Sequence, residues 1–163
     1  MSSPAGQASS SVSGIAAEEP AGPCLVVGYD GSESARAAAN WAAGSLPVDG
    51  RLVLTYACRP LHAPPSPLAS AQERHRLGQA FLDELALDGK DALLEAAVHA
   101  EVFDEDPVSA LLEAARRHHA SGIVVGCEQH SRLHKAIGTV TSELLRRSPV
   151  PVTAVPSARA ESN

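Results

Sequence analysis

Short apolar runs alternate with longer amphipathic segments along most of the chain. Five runs rich in Val, Leu and Ala and bounded by turn residues predict strands, at 24–29, 51–58, 98–103, 122–127 and 150–155. Before the third run, residues 93–97 are equally consistent with helix, so the pattern leaves the start of that strand open.

Four segments between these runs carry helix signals. Ser32 is a predicted N-cap, Asp106 is another that precedes a proline at the first helical position, and Gly138 with Thr139 opens the last helix. We expect Gly44 to stop the first helix. The predicted buried faces are Ala35, Ala38, Ala39 and Ala42 in the first helix, Leu77, Phe81 and Leu85 in the second, which follows a capping box at Ser70 and Glu73, and Val108, Leu111, Leu112 and Ala115 in the third.

Regular alternation of strand and helix predicts an open parallel α/β sheet. Ligands of such sheets bind beyond the carboxyl ends of the strands, at the point where the strand order reverses. Three segments are expected at that edge, at 30–32, 57–58 and 126–139. We therefore take this edge as the candidate site.

The two ends of the chain differ in composition from its middle. Of residues 1–23, 17 are Ser, Ala, Gly or Pro, which predicts a disordered tail. Residues 157–163 form a short polar tail, so the predicted domain is 24–156. No apolar stretch approaches the roughly 18 residues that cross a bilayer, and residues 1–23 lack the Lys or Arg of a signal peptide. We therefore expect a cytoplasmic protein.

Composition and charge narrow the classes of function. A chain of 163 residues that is 44% hydrophobic suits one globular domain. The net charge of −6 and the 3% of aromatic residues argue against a nucleic-acid binder. Residues 116–147 nevertheless hold six Arg or Lys against two Glu, which leaves a small anion as a ligand of that segment. The three cysteines are too few for a disulfide framework, and we expect them to be reduced and structural.

Gly126 and the pair Gly138 and Thr139 flank a polar loop that leads into a helix. Free backbone N–H groups and the helix dipole favour an anion at such a position. An ordinary connection between strand and helix has the same local pattern, so the residues alone leave both interpretations open.

A metal site is a further hypothesis for this loop. Cys127, His130 and His134, together with Glu128 and the nearby pair 118–119 of histidines, are ligand types that zinc accepts. The spacing falls in a loop rather than on one helix face, and no second cysteine pair closes a structural site. We therefore expect no metal.

Four blocks of the sequence together resemble the universal stress protein family. They are LVVGYDGSES at 25–34, DPVSALLEAA at 106–115, GIVVG at 122–126 and GTVTSELLRRSPVPV at 138–152. Their order and spacing cover nearly all of the predicted domain. The resemblance implies a five-stranded parallel sheet with strand order 3-2-1-4-5 and helices on both faces, of the adenine nucleotide alpha-hydrolase-like type.

The resemblance also implies a candidate ATP site. Asp30 matches the acidic residue that family members place near the adenosine, and Ala57 matches the residue whose backbone contacts the adenine. Asp30 is also a good turn former, which leaves a purely structural role open. The implied phosphate-binding positions are Gly126, Gln129, Gly138, Thr139 and Val140.

The phosphate loop departs from the family pattern in two ways. ATP-binding members carry G-x2-G-x9-G-[ST], but here Gln129 replaces the second glycine and the outer glycines are 138 − 126 = 12 positions apart instead of 13. A glutamine adds a Cβ where backbone N–H groups must approach a phosphate, so we expect ATP binding to be weak or lost. Arg132 and Lys135 would either neutralise phosphates or form a solvated basic loop.

We therefore expect a non-enzymatic protein of stress response or regulation, without nucleic-acid or membrane partners. One alternative is an ATP-binding sensor of the same family, and another is a nucleotide-hydrolysing enzyme, for which the fold alone supplies no catalytic group. The resemblance further implies a homodimer formed through the last strand, Val150 to Val155. Pro149 and Pro151 remove two donors there, so pairing is expected to begin at Val152.

Overall fold

The computed structural model describes residues 22–58, 71–87, 97–127 and 138–157. Within these ranges the chain forms five strands and four helices in strict alternation. They are β1 (Cys24–Gly28), α1 (Glu33–Ser45), β2 (Arg51–Ala57), α2 (Ala71–Leu87), β3 (Ala97–Phe103), α3 (Pro107–Arg117), β4 (Gly122–Cys127), α4 (Thr139–Arg147) and β5 (Val152–Pro156). None of these helices is both long and apolar enough to cross a bilayer.

The strands form one sheet in the order β3-β2-β1-β4-β5. Every neighbouring pair is parallel, and Val26 at the centre of β1 lies beside Val53 of β2 and Ile123 of β4. The predicted α/β class and the strand order implied by the family resemblance are both confirmed. The sequence left the start of the third strand open, and in the structure β3 begins at Ala97. Residues 93–96 lie outside the described ranges.

Two apolar layers sandwich the sheet, because alternate side chains of each strand point to opposite faces. On one face, the small side chains of α1 pack on Leu52, Leu54 and Val124. On the other face, α3 and α4 pack on a second set that includes Val53 and Ile123. Helices on both faces are what a parallel sheet requires, since neither face can remain in water.

Two details of the helices differ from the sequence predictions. Gly44 does not stop α1, which continues to Ser45 and ends where the Leu46 N–H bonds to the Ala43 carbonyl. Leu77 was predicted to be buried but is 39% exposed, because α2 instead turns Gly78 toward Ala100 of β3. The side chains of Phe81 and Leu85 lie outside the description, as does Ser70.

Strand β5 begins at Val152 rather than at Val150. Pro151 has no N–H to offer, although its carbonyl accepts a hydrogen bond from the Ile123 N–H at 2.9 Å. At the ends of the chain, the Pro23 carbonyl accepts from the Arg51 N–H, and the Ser157 N–H donates to the Cys127 carbonyl. The rest of both predicted tails, 1–21 and 158–163, lies outside the described residues, so the domain limits stay a prediction.

Asp106 caps α3 as its sequence context predicts. Its Oδ1 accepts from the Val108 and Ser109 N–H groups at 3.0 and 3.1 Å, and its Oδ2 accepts from the Ser109 hydroxyl at 2.7 Å. Partial burial by itself would raise the pKa of this carboxyl. The hydrogen bonds from Ser109 and Val108, with a smaller contribution from the positive charge of Arg147, outweigh burial and lower the pKa below its usual 3.8.

We predict that Asp106→Ala destabilises the fold by about 1 kcal/mol at neutral pH, whereas Asp106→Asn, which still caps, costs less. The pKa of Asp106 is lower in the folded than in the unfolded chain. The stabilisation from its charge is therefore complete above about pH 5 and is lost as the pH falls through the folded pKa. Urea unfolding of both variants at pH 7 and pH 3 tests this. The prediction is contradicted if Asp106→Asn lowers the free energy of unfolding by the same amount at pH 7 and at pH 3.

Gly126, near the end of β4, lies directly beneath the first turn of α1. A Cβ built on it would be 2.3 Å from the carbonyl carbon and oxygen of Ser34 and 2.8 Å from the Ala35 nitrogen. At Gly138, the N-cap of α4, no atom of the described residues beyond its chain neighbours lies within 4 Å of an added Cβ, and its φ of −56° is one that any residue adopts. Of the two glycines that match the family's loop pattern, Gly126 therefore has no room for a side chain, whereas the described residues around Gly138 leave room for one.

We predict that Gly126→Ala destabilises the protein by about 2 kcal/mol or more, because backbone must move to admit the methyl group. Gly138→Ala is the matched control and should change the free energy of unfolding by no more than about 0.5 kcal/mol. Chemical denaturation of the two variants measures both values. Equal stabilities would show that the first turn of α1 moves away from β4 at little cost.

Candidate functional site

A cavity of about 210 Å³ opens at the carboxyl edge of the sheet. Its walls come from the ends of β1, β2 and β4, from the loop that leads into α1, and from the first turns of α3 and α4. The strand order reverses between β1 and β4, and the connections that follow these two strands pass to opposite faces of the sheet. The crevice between them is the place where ligands of this architecture bind.

Strand β2 contributes its last three residues, 55–57, to the wall of the cavity. Thr55 is only 3% exposed, and its carbonyl accepts a hydrogen bond from the Tyr29 N–H at 2.9 Å, which ties the end of β1 to β2. Ala57, the last residue of β2, lines the cavity two positions further on. Its predicted role, a backbone contact to adenine, stays a prediction from the family resemblance.

Asp30 stands exposed at the mouth of the cavity. Its Oδ1 accepts a hydrogen bond from the Ser32 N–H at 2.9 Å, and Gly31 between them takes the left-handed φ of 79° that glycine tolerates best. The Ser32 hydroxyl in turn accepts from the Ala35 N–H at 3.2 Å and contacts the Ser34 hydroxyl at 3.1 Å. Asp30 thus shapes the turn that orders the start of α1 and also faces the cavity.

The other predicted site residues divide into three groups. Gly126 and Val140 line the cavity together with Asp30 and Ala57. Gly138 and Thr139 are exposed at the start of α4, immediately before the lining residue Val140, and are not part of the wall. Gln129, like Arg132 and Lys135, lies outside the described residues.

The described wall of the cavity carries little charge. Asp30 is its one carboxylate, and no Lys, Arg or His belongs to that described wall. The arginines of the basic segment that lie in the described ranges form ion pairs: Arg116 and Arg117 with Glu113 at 2.8 and 3.5 Å, Arg117 also with Glu101 of β3 at 3.5 Å, and Arg146 and Arg147 with Glu143 at 3.8 and 3.6 Å. These ion pairs partly neutralise the four arginines, and none of the four lines the described wall of the cavity.

The hypothesis of a metal site gains no support from the described residues. Within them, no group of three or more His, Cys, Asp or Glu side chains is arranged to hold a metal ion. His118 caps the end of α3 and lies 3.1 Å from Glu101 of β3, whereas Cys127 lies at the end of β4. The other residues considered, Glu128, His130 and His134, are outside the described part of the chain.

Sequence reasoning missed several residues of the wall, above all Thr55, Ser34 and Thr141. Ser34 and Thr141 are almost fully buried polar residues within the first turns of their helices. Thr55 stands in the apolar run of β2, and a hydroxyl inside such a run is the signal that could have singled it out. Nothing in the sequence alone shows that its side chain borders a cavity.

Comparisons with known proteins identify relatives with the same fold. A universal stress protein from Burkholderia pseudomallei is 25% identical, with a TM-score of 0.54 over 82% of this chain and 95% of its own. A universal stress protein solved in complex with cAMP is also 25% identical, with a TM-score of 0.58 over 84% and 98% of the two chains. A family member from Arabidopsis thaliana with AMP bound is 16% identical, with a TM-score of 0.56 over 86% and 95%, and shows the shared fold alone.

No protein of curated function matches this sequence significantly. The sequence profile of the universal stress protein family, in contrast, matches residues 25–156, which is nearly the whole of the described sheet and its helices. The strand order, the position of the cavity and the profile agree. The chain belongs to the universal stress protein family.

Proposed function

We propose that this protein binds an adenine mononucleotide in the cavity at the carboxyl edge of its sheet and responds to that ligand without catalysing a reaction. The observation that carries the proposal is the cavity at the switch point between β1 and β4, which brings Asp30, Ala57, Gly126 and Val140 to one space. A relative at 25% identity was solved with cAMP, which supports this class of ligand.

In this proposal the base lies along the end of β2, where the Ala57 backbone offers hydrogen-bonding groups. The carboxylate of Asp30 at the mouth accepts hydrogen bonds from the ribose hydroxyls, for which a charged acceptor is favourable. The phosphate points toward the start of α4, where Gly138 and Thr139 precede Val140. The free N–H groups of that first turn and the helix dipole stabilise an anion.

A mononucleotide suits this cavity better than ATP does. The volume of about 210 Å³ is below the ~300–1,000 Å³ typical of sites for drug-sized ligands. No cationic side chain lines the described wall. The sequence departures at Gln129 and in the loop length also remove features that ATP-binding family members use. Each further phosphate would therefore add charge that the described residues do not neutralise.

A non-catalytic role is supported by the chemistry of the wall. Hydrolysis requires a base or a nucleophile next to the reacting phosphorus. Among the described wall residues, the one carboxylate is Asp30, which in this proposal accepts hydrogen bonds from the Ser32 N–H and the ribose hydroxyls rather than from a water next to the phosphorus. We propose that the family's role in stress response applies here, in the cytoplasm, with occupancy of the cavity as the signal. Sustained release of phosphate from ATP or AMP would overturn the non-catalytic part.

We predict that AMP binds to the purified protein and that ATP binds more weakly, as measured by calorimetry. Asp30→Ala should weaken AMP binding roughly tenfold or more, because a hydrogen bond to a charged group contributes about 1.5–3 kcal/mol. Asp30→Asn keeps an oxygen for the Ser32 N–H and should retain the fold with an intermediate affinity. Glu113→Gln, on the outer side of α3, is the control and should bind like the unmodified protein. Absence of AMP binding, or tighter binding of ATP, contradicts the proposal.

We also propose that the protein is a homodimer joined along β5. This strand is an edge of the sheet, and within the described ranges β4 is its one neighbour. Val155 is buried against the α1 side, whereas Ala154 is exposed at the same edge. An edge strand has free N–H and C=O groups that a second copy can pair across a twofold axis.

Light scattering tests the dimer directly. We expect twice the chain mass at tens of micromolar, and Ala154→Lys should reduce it to one chain, because a charge on an edge strand opposes pairing with another edge. Arg146→Glu, on the exposed side of α4, is a control that should leave the mass unchanged. A monomeric unmodified protein disproves the dimer, and a dimer indifferent to Ala154→Lys places the interface elsewhere.

A further inference from the structure

We propose that the hydroxyl of Thr55 is the group that recognises the polar edge of the bound base, and so helps to set the ligand specificity of the cavity. The inference rests on the proposed function, because it assigns a role to Thr55 within the same site. It concerns a residue of β2 that neither the sequence motifs nor the family's loop pattern includes.

Thr55 combines deep burial with an unsatisfied hydroxyl. The residue is 3% exposed, and its Oγ1 has no hydrogen-bond partner among the described residues. Its backbone carbonyl is already engaged by the Tyr29 N–H. A buried hydroxyl without a partner costs free energy, and buried polar groups in proteins are normally bonded. Because Thr55 also lines the cavity, a ligand in the cavity is a natural partner for the hydroxyl.

The alternation of side chains along β2 directs Thr55 toward α3. Leu52 and Leu54 belong to the apolar layer under α1, whereas Val53 belongs to the layer under α3 and α4. With a repeat of two residues along a strand, Thr55 shares the face of Val53. Ala110 and Leu111 of α3 line the cavity on that side. Thr55 therefore lies on a part of the wall that Ala110 and Leu111 make largely apolar.

The residues around Thr55 favour the base, rather than the phosphate, as the part of the ligand that contacts its hydroxyl. Ala110, Leu111 and Val125 make this part of the wall apolar, and no described cation lines it, so a phosphate here would be desolvated without compensation. A flat base buries its apolar faces against such walls and exposes ring nitrogens and amino groups at its edge. A threonine hydroxyl both donates and accepts, so it can pair with either kind of edge atom.

The test compares Thr55→Val, which has nearly the same shape and no hydroxyl, with Thr55→Ser, which keeps the hydroxyl. Thermal unfolding is measured without ligand, and binding of adenosine and of AMP is measured by calorimetry. We expect Thr55→Val to raise the ligand-free midpoint by about 2–4 °C, because it removes an unpaired buried group. The same variant should lower the affinity for adenosine and the affinity for AMP by the same factor, roughly two- to tenfold. Thr55→Ser should keep the affinity while it loses stability with the methyl group.

The failures of the two proposals can be told apart. If the unmodified protein binds neither adenosine nor AMP, the proposed function falls and the role of Thr55 falls with it. If it binds both and Thr55→Val binds them equally well, the nucleotide site stands and the inference about Thr55 is overturned. A loss confined to AMP would place the hydroxyl at the phosphate and also overturn the inference. A lower ligand-free midpoint for Thr55→Val would show that the hydroxyl has a partner within the protein.

Discussion

The close approach of α1 to the end of β4 determines the shape of the candidate site. It is possible because the helix presents only small side chains to the sheet and because Gly126 leaves room for the backbone of Ser34 and Ala35. With α1 held there, the turn from Asp30 to Ser32 lies over the reversal of strand order between β1 and β4. A larger residue at Gly126 would lift the helix and open the wall of the cavity.

The packing of α1 on Gly126 affects how far a glycine of the family's pattern can be used as evidence for nucleotide binding. Gly126 matches the first glycine of the family's phosphate-binding pattern, yet its lack of a side chain is already required by the fold. Gly138 matches the last glycine, but the described surroundings leave open space for a Cβ. A glycine of the first kind is needed whether or not a nucleotide binds. Only a glycine of the second kind, free of steric demand from the protein, points to close approach by a ligand.

The fold could be predicted in detail because each local signal agreed with the next. The caps at Ser32 and Asp106 and the period of the apolar residues identified the elements, and the structure forms them. The errors arose where packing outweighed local preference, as when Gly78 rather than Leu77 faced β3. For the site, family motifs pointed to Asp30 and Ala57. They could not point to Thr55, because the lack of a hydrogen-bond partner is a property of three-dimensional packing.

The charge of the described wall limits the ligands that the cavity can hold. A monophosphate carries about −2 charge at neutral pH, and the first turn of α4 offers roughly half a positive charge together with free N–H groups. With Asp30 as the one carboxylate and no described cation in the wall, a triphosphate would leave much more charge unbalanced. The proposed site of the base differs, because Ala110, Leu111 and Val125 give that part of the wall an apolar surface and the Thr55 hydroxyl has no partner among the described residues. In the proposed mode of binding, the nucleoside therefore makes most of the favourable contacts, and each phosphate beyond the first adds charge that the described wall does not neutralise.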